Sequence, residues 1–261
     1  MANFILAIKS IWRREIIRYW RDKTRLVSTF FQPLMFLVIF GAGLRQSLAG
    51  GNLEIDFLQF MYPGIIAMNV MGIAFFSTVS TVWDREFGFL REILVAPVPR
   101  LSIVFGKILG AVTIASVQAL ILLILAPFIG VKLEVLVVLQ LFLLMLLLSF
   151  AISGIGLFIA SLMKTTESFG IIMQVLIIPM FFLSGAFFPL TTAPDWMRLL
   201  SEANPLTYGV DAMRQVLLDP QLGQAVVSKI ALHSVFFDVL ALIFFAIITV
   251  SAAVLTFNRR D

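Results

Sequence analysis

Long apolar stretches alternate with short polar segments along most of this chain. Six of the stretches contain no Asp, Glu, Lys, Arg or His, and each is close to the ~20 residues that a helix needs to cross a bilayer. A helix satisfies its own backbone hydrogen bonds, which lipid cannot do, so the pattern predicts an all-α integral membrane fold with six transmembrane helices. The predicted spans are residues 26–44, 59–82, 108–130, 136–163, 169–190 and 239–257.

Composition supports lipid as the solvent for these stretches. Of the 261 residues, 61% are hydrophobic and only 13% are charged, so a soluble fold could not bury this much apolar surface. The length suits one helical bundle without a separate soluble domain, so residues 1–261 are interpreted as a single transmembrane domain. Because the chain has no Cys and one His, disulfides, thiolate metal sites and multi-histidine metal sites are excluded.

The basic residues are unequally divided between alternate loops. Most of the 19 Lys and Arg lie on one side of the predicted spans, chiefly in segments 1–25 and 83–107. The positive-inside rule places these segments and both termini in the cytoplasm. Since the same residues lie where membrane anchors are expected, the net charge of +4 does not indicate nucleic acid as a partner, whereas membrane lipid is expected.

Two cytoplasmic segments have the pattern of helices that lie outside the lipid. In segment 1–25, apolar residues recur at helical spacing with basic residues between them, which predicts an amphipathic interfacial helix. This helix either only anchors the chain or also docks a cytoplasmic partner. Segment 83–107 mixes charged and apolar residues before Pro97 and Pro99, which predicts a short helix. That helix is either a lever that a partner could push or a solvated connector.

The long segment between the fifth and sixth predicted spans, 184–235, has a pattern of its own. Apolar residues at helical spacing predict short helices on both sides of Asn204. Pro179, Gly185 and Pro189 interrupt the end of the fifth span, which indicates a re-entrant turn. The segment is interpreted either as a gate at the outer mouth or as interfacial helices that rest on lipid headgroups.

The sequence lacks the residues that catalysis or ion coupling would require. The pattern G-x-x-x-x-G-K-[ST] does not occur, and no catalytic, cofactor-binding or metal-binding residue is expected. No ionisable group lies within a predicted span, which argues against ion coupling, and Asp238 with His233 is interpreted as an interfacial pair that caps or anchors a helix. The most polar span residues are interpreted first as interhelical hydrogen-bond partners and second as a polar pathway lining: Gln32, Asn69, Gln118 and Gln174.

Several short strings in the chain are similar to the motifs of one transporter family. They are LVAPVPR at 94–100, SGAFFPL at 184–190, PDW at 194–196 and NPLTY at 204–208, followed by Asp211 and Arg214. With the six predicted spans and the basic amino-terminal helix, they resemble the ABC-2 type transporter permeases. The resemblance covers nearly the whole chain.

The resemblance implies an exporter in which two permease chains form the pathway and separate cytosolic ATPase subunits bind ATP and Mg²⁺. The second permease would be another copy of this chain or a related one, and the membrane would be the inner membrane of a bacterium or an archaeon. The implied ATPase-coupling residues are Arg13, Arg14, Arg85, Glu86, Phe87, Phe89, Leu90, Arg91, Glu92 and Leu94. The implied outer gate residues are Gly185, Pro189, Trp196, Asn204, Pro205, Tyr208, Asp211 and Arg214.

More than one cargo class and more than one energy source are consistent with the sequence. The expected cargo is a hydrophobic or amphiphilic compound, such as a drug or an antibiotic, because the spans offer so little polar lining. The alternative cargo is a lipid-linked saccharide or a polysaccharide, since the family that the chain resembles includes exporters of both classes. An ATP-independent secondary transporter or channel and a membrane scaffold for enzyme assembly are the other classes considered.

Overall fold

The computed structural model describes residues 2–48, 57–89, 98–131 and 133–260. Within these ranges the chain is helical and contains no β-strand, so the all-α prediction is confirmed. Two short 3₁₀ helices, Ala126–Ile129 and Leu190–Thr192, lie between longer elements. The α-helices are α1 (Ala2–Arg21), α2 (Lys23–Leu48), α3 (Phe57–Glu86), α4 (Arg100–Leu123), α5 (Val135–Leu162), α6 (Thr166–Phe182), α7 (Asp195–Glu202), α8 (Pro205–Leu222), α9 (Gln224–Val227) and α10 (Val235–Arg260).

Four helices in the described part of the chain are long and apolar enough to cross a membrane. They are α3, α4, α5 and residues Val235–Phe257 of α10, which contain or overlap the second, third, fourth and sixth predicted spans. The first predicted span lies in α2, which is not among these four. The count of six spans therefore stays a prediction.

The fifth predicted span, 169–190, is not one continuous helix. Helix α6 ends at Phe182, and the turn that follows contains Gly185 at a φ of 74°, a conformation that favours glycine. The 17 residues of α6 rise about 25 Å, which is less than the roughly 30 Å of a hydrocarbon core. The break after Pro179 and before Pro189 thus ends the helix early.

Helix α1 packs lengthwise against α4 instead of standing apart from the bundle. A Cβ added to Gly106 would lie 2.8 Å from the Cβ of Ile11, and one added to Gly110 would lie 2.7 Å from the Cβ of Glu15. Both distances are shorter than side-chain atoms tolerate, so the two glycines form a small-residue surface that lets α1 approach α4 closely. The expected helix is present, but one of its faces is covered by α4.

Two polar contacts extend this packing along both helices. The indole Nε1 of Trp12 donates to Oγ1 of Thr113 at 3.0 Å, and the amide Nε2 of Gln118 donates to the hydroxyl of Tyr19. The contacts advance along α1 and α4 in the same direction, so the helices run parallel. Other apolar residues of α1, including Trp20 at 59% exposure, face outward.

Helices α3 and α5 lie at the centre of the bundle. Helix α3 contacts α2, α4, α5, α6 and α8, and α5 also packs against α10. Their buried faces consist of apolar residues such as Phe75, Met71 and Leu148, each at most 1% exposed. The two ends of α3, named here the Phe57 end and the Glu86 end, therefore touch most other elements of the bundle.

Candidate functional site

A cavity of about 820 Å³ lies between α2, α3 and α6. It follows α3 from Trp83, near the Glu86 end, to Ile65, which is 18 positions away and thus about 27 Å along the helix. Residues from Asp22 to Phe36 line one side, and residues from Thr166 to Phe182 line the other. The cavity is long enough to hold a molecule that extends through most of a bilayer.

Polar groups line the part of the cavity near the beginning of α2. Arg25 donates from Nη2 to Oγ of Ser77 at 3.2 Å, and its guanidinium lies 5.2 Å from the ring centroid of Tyr19. Asn69 donates from Nδ2 to the carbonyl oxygen of Thr29 at 3.1 Å. The buried Oδ1 of Asn69 has no hydrogen-bond partner among the described residues.

Aromatic rings line the opposite part of the cavity. The ring of Phe181 lies 6.1 Å from that of Phe36, 5.3 Å from that of Phe182 and 4.6 Å from that of Phe187, with the last two pairs edge to face. Phe182 is 52% exposed. The cavity is therefore polar near the start of α2 and aromatic near the end of α6.

The four span amides have different environments. Gln32 and Asn69 line the cavity. Gln118 instead donates to Tyr19 and, at 3.0 Å, to Oγ1 of Thr29, so it joins α4 to α1 and α2. Gln174 lies exposed on α6. Two of the predicted pathway amides thus share a cavity and a third is an interhelical partner.

Two residues in the last turn of α3 form hydrogen bonds with the junction between α5 and α6. Arg85 donates from Nη1 to the carbonyl oxygens of Ser161 and Met163 at 2.8 and 2.7 Å. Oε2 of Glu86 accepts hydrogen bonds from the backbone N–H and the hydroxyl of Thr166 at 3.1 and 2.5 Å. A cation therefore lies at the carboxyl end of α5 and an anion at the amino end of α6, as the helix dipoles favour. We call Arg85 and Glu86 the α3 clamp.

A buried charge cluster lies beside the clamp and joins three helices. The Nζ of Lys107 in α4 lies 2.7 Å from Oδ2 of Asp84 in α3 and 3.4 Å from Oε1 of Glu15 in α1. Arg14 approaches the same two carboxylates at 2.5 and 3.1 Å, and Arg18 lies 3.4 Å from Oδ1 of Asp84. Charges this deeply buried are tolerable because each has an opposite partner.

The electrostatics of this cluster favour the ionised form of Glu15. Burial alone would raise the pKa of its carboxyl, but the charges of Lys107 and Arg14 outweigh burial, so the pKa lies below its ordinary value. The cluster also changes the interpretation of segment 83–107. Asp84 and Lys107 lie inside α3 and α4 with exposures of 2% and 3%, so they are not solvated loop residues.

The remaining predicted coupling residues are only partly described. Phe87 and Phe89 follow the clamp and are 69% and 54% exposed, and Gly88 between them has a φ of 81°. Arg13 is exposed on α1, whereas Arg14 is engaged in the charge cluster. Leu90, Arg91, Glu92 and Leu94 lie outside the described residues, so the short helix expected before Pro97 and Pro99 stays a prediction.

Most of the predicted gate residues near the Phe57 end are buried. Arg214 is 3% exposed; its Nη2 donates to the carbonyl oxygen of Gly185 at 2.6 Å, and its Nε donates to that of Phe60 at 3.3 Å. The guanidinium also lies 3.9 Å from the ring centroid of Phe60. Burial lowers the pKa of Arg214 to about 10, against the opposing effect of Asp211.

The NPLTY string forms the junction between α7 and α8. Oδ1 of Asn204 accepts from the backbone N–H of Leu206 at 3.0 Å and caps α8, which begins at Pro205. Its Nδ2 donates to the carbonyl oxygen of Met180 in α6 at 2.7 Å, and the Tyr208 hydroxyl donates to that of Glu202 at 2.7 Å.

Two predicted gate residues lie elsewhere on this segment. Pro189 is half-buried before the 3₁₀ helix Leu190–Thr192, and Trp196 is 61% exposed on α7. Within the predicted set, Arg214 is hydrogen-bonded to Gly185, whereas Asn204 and Tyr208 bond to Met180 and Glu202 outside the set.

The sequence is similar to those of known membrane permeases. Residues 6–218 match the ABC-2 type transporter family. The chain is 32% identical to "Putative transport permease ycf38" of Cyanophora paradoxa over 216 residues, which are 81% of this chain and 74% of that protein. It is also 32% identical to "Inner membrane transport permease YadH" of Escherichia coli K12, with coverage of 82% and 84%.

A third relative carries a cargo class in its name. "Probable multidrug ABC transporter permease YbhR" of Escherichia coli K12 is 31% identical over 175 residues, which are 64% of this chain and 46% of that protein. Together with the apolar spanning helices, these matches agree with the resemblance found in the sequence. The chain belongs to the ABC-2 type transporter family.

Proposed function

We propose that this protein is the permease subunit of an ATP-driven exporter that moves a hydrophobic or amphiphilic compound across the inner membrane. The cavity between α2, α3 and α6 carries the proposal. Its polar part offers Arg25 and Asn69, and its other part offers the rings of Phe36 and Phe181. A molecule with a polar head and an apolar or planar body would match both parts. The multidrug name of the relative YbhR supports a drug-like cargo.

A lipid-linked saccharide is the second candidate cargo. The amide side chains of Gln32 and Asn69 line the cavity and suit sugar hydroxyls, and aromatic faces stack on sugar rings as well as on planar drugs. Competition between a lipid-linked saccharide and an amphiphilic dye for the same cavity would separate the two cargo classes.

The energy would come from a separate cytosolic ATPase, since this chain has no phosphate-binding loop. The exposed Phe87 and Phe89 suit a groove on that partner, and the neighbouring α3 clamp would pass its motion to α5 and α6. This arrangement implies that the Glu86 end of α3 and both termini face the cytoplasm.

A second permease copy would close the open side of the cavity. Helices α2 and α6 flank it, and both expose apolar residues such as Phe31 at 61% and Val175 at 66%. A homodimer through these helices would form one pathway from two cavities, and a related permease could take the place of the second copy.

Transport by the reconstituted complex tests the proposal. The permease and its co-purified ATPase are placed in inside-out vesicles, and ATP-dependent uptake of an amphiphilic fluorescent dye is measured. We expect Phe181→Ala and Asn69→Ala to lower uptake about tenfold, and Phe128→Ala, which changes an 85% exposed residue outside the cavity lining, to leave it unchanged. Equal uptake without ATP would instead support the secondary transporter.

A further inference from the structure

Three metal-ligating side chains converge at the Phe57 end of the bundle. Asp211 belongs to α8, His233 to the turn before α10, and Asp238 to the first turn of α10. One ligand atom of each lies within 4.8 Å of the others. Asp211 is 4% exposed and Asp238 is fully buried.

The hydrogen bonds of the cluster leave one buried carboxylate oxygen unused. Oδ2 of Asp211 accepts from the backbone N–H groups of Leu232 and His233, each at 2.9 Å, and from Nε2 of Gln215 at 3.2 Å. The same Nε2 lies 3.4 Å from Oδ2 of Asp238. Oδ1 of Asp238 has no hydrogen-bond partner in the described part of the chain, although nearly all buried polar atoms have one.

The two carboxylates are only partly matched by positive charge, since Arg214 is the one buried guanidinium among the described residues that acts on Asp211. Both contact the neutral amide of Gln215, and the guanidinium of Arg214 donates instead to the carbonyl oxygens of Gly185 and Phe60. Among the described residues, the one titratable nitrogen at the free oxygen is Nδ1 of His233, 3.6 Å from Oδ1 of Asp238. Two buried carboxylates that are not neutralised would carry a large desolvation cost.

The imidazole of His233 is held in place by stacking between aromatic rings. Its ring stacks on that of Phe237 at 4.7 Å and 28°, and lies 5.5 Å from that of Tyr208 at 26°. Its Nδ1 has no hydrogen-bond partner, like the facing oxygen of Asp238. One imidazole nitrogen and two carboxylates suit Zn²⁺, whereas Ca²⁺ and Mg²⁺ prefer oxygen ligands alone.

We propose that Asp211, His233 and Asp238 form a binding site for a divalent transition-metal cation, with Zn²⁺ as the best match. The positive charge of the cation offsets the negative charge that Arg214 leaves unmatched and supplies a partner for the unused oxygen of Asp238. Because the ligands belong to α8, the turn before α10 and α10 itself, the cation joins the outer segment to the last helix. This site does not depend on the proposed transport function.

Metal content of the purified full-length protein tests the site. The protein in detergent is stripped with EDTA, equilibrated with Zn²⁺, separated from free metal and measured by elemental mass spectrometry. We expect about one Zn²⁺ per chain, and a loss of affinity of at least about 100-fold in both Asp238→Asn and His233→Ala. The matched control is Asp195→Asn, which changes an exposed acid of α7 and should keep the metal.

The competing explanations give different results. If the two carboxylates share a proton instead, the wild-type chain holds no Zn²⁺ and Asp238→Asn raises its melting temperature, which would overturn the proposal. Binding of Ca²⁺ as tight as that of Zn²⁺, with no effect of His233→Ala, would overturn the ligand assignment. Because His233 is partly exposed, its replacement keeps the test informative if Asp238→Asn does not fold.

Discussion

Lys107 and Asp84 form an ion pair at 2.7 Å in which both side chains are about 2% exposed, and this pair joins α4 to α3. Glu15 and Arg14 complete it from α1. Removal of one member would leave the other charges buried without their partner, which is the costly way to alter such a cluster.

Lys107→Met tests the cluster. We expect it to destabilise the protein by about 3–5 kcal/mol, because Asp84 and Glu15 lose their most deeply buried cation. The measurement is the midpoint of unfolding in a denaturing detergent titration, with the exposed Lys164→Met as the control. An unchanged midpoint for Lys107→Met would show that the pair contributes nothing to stability.

The pH dependence of stability should depend on Glu15. Its folded-state pKa lies below the ordinary value of 4.5, so the unfolded chain takes up the proton more readily than the folded chain. The stabilisation is therefore complete above about pH 4.5 and is lost as the pH falls through the lower folded-state pKa. Unfolding midpoints between pH 3 and pH 7 should fall for the wild type but fall less for Glu15→Gln, and parallel curves would contradict the assignment.

Close packing of α1 on α4 predicts a size limit at Gly110. Gly110→Ala places a methyl group against the Cβ of Glu15, so we expect it to cost about 1–3 kcal/mol and to move α1. Gly170→Ala is the matched control, because its Cβ would meet no atom within 4 Å. A shift in the fluorescence of Trp12, which contacts α4 through Thr113, would report the movement.

The α3 clamp predicts a defect in coupling. Glu86→Lys puts a cation at the amino end of α6 and removes both hydrogen bonds to Thr166, so we expect normal membrane insertion but about tenfold lower transport-linked ATP hydrolysis. Glu167→Lys reverses an exposed charge in the first turn of α6 and is the control for the effect of charge alone. If both variants hydrolyse ATP at the wild-type rate, the clamp has no role in coupling.

Movement of segment 184–235 can be tested with single cysteines, since the chain has none of its own. Trp196→Cys should react with an impermeant thiol reagent in every nucleotide state, because Trp196 is 61% exposed. Met213 is fully buried, so Met213→Cys should react only in a state in which α8 moves away from the bundle. Protection of Met213→Cys in all states would argue against a gate.

The helices were predictable from the sequence, whereas the polar interior was not. Apolar runs without charge indicate spanning helices, and the Pro179 and Gly185 break indicates the early end of α6. The cluster of Glu15, Asp84 and Lys107 was missed because its members come from separate parts of the chain, and residues at the ends of apolar runs look like solvated anchors.

The other sites were also missed because their residues are far apart in the sequence. Asp211 and Asp238 are 27 positions apart, so no local spacing indicates that they face one another. The cavity was equally hidden, because a sequence of apolar residues does not say which helix faces leave space between them. Gln32 and Asn69 were correctly singled out as polar, but only the packing of α2 and α3 brings them to one cavity.

Arg85 and Glu86 are adjacent residues of α3, and they form hydrogen bonds with the end of α5 and the start of α6, respectively. Thr166, which is hydrogen-bonded to Glu86, also lines the cavity, and Phe169 lines it one turn later in α6. A small rotation of α3 at its Glu86 end would therefore change the shape of the cavity directly, without a chain of intervening side chains.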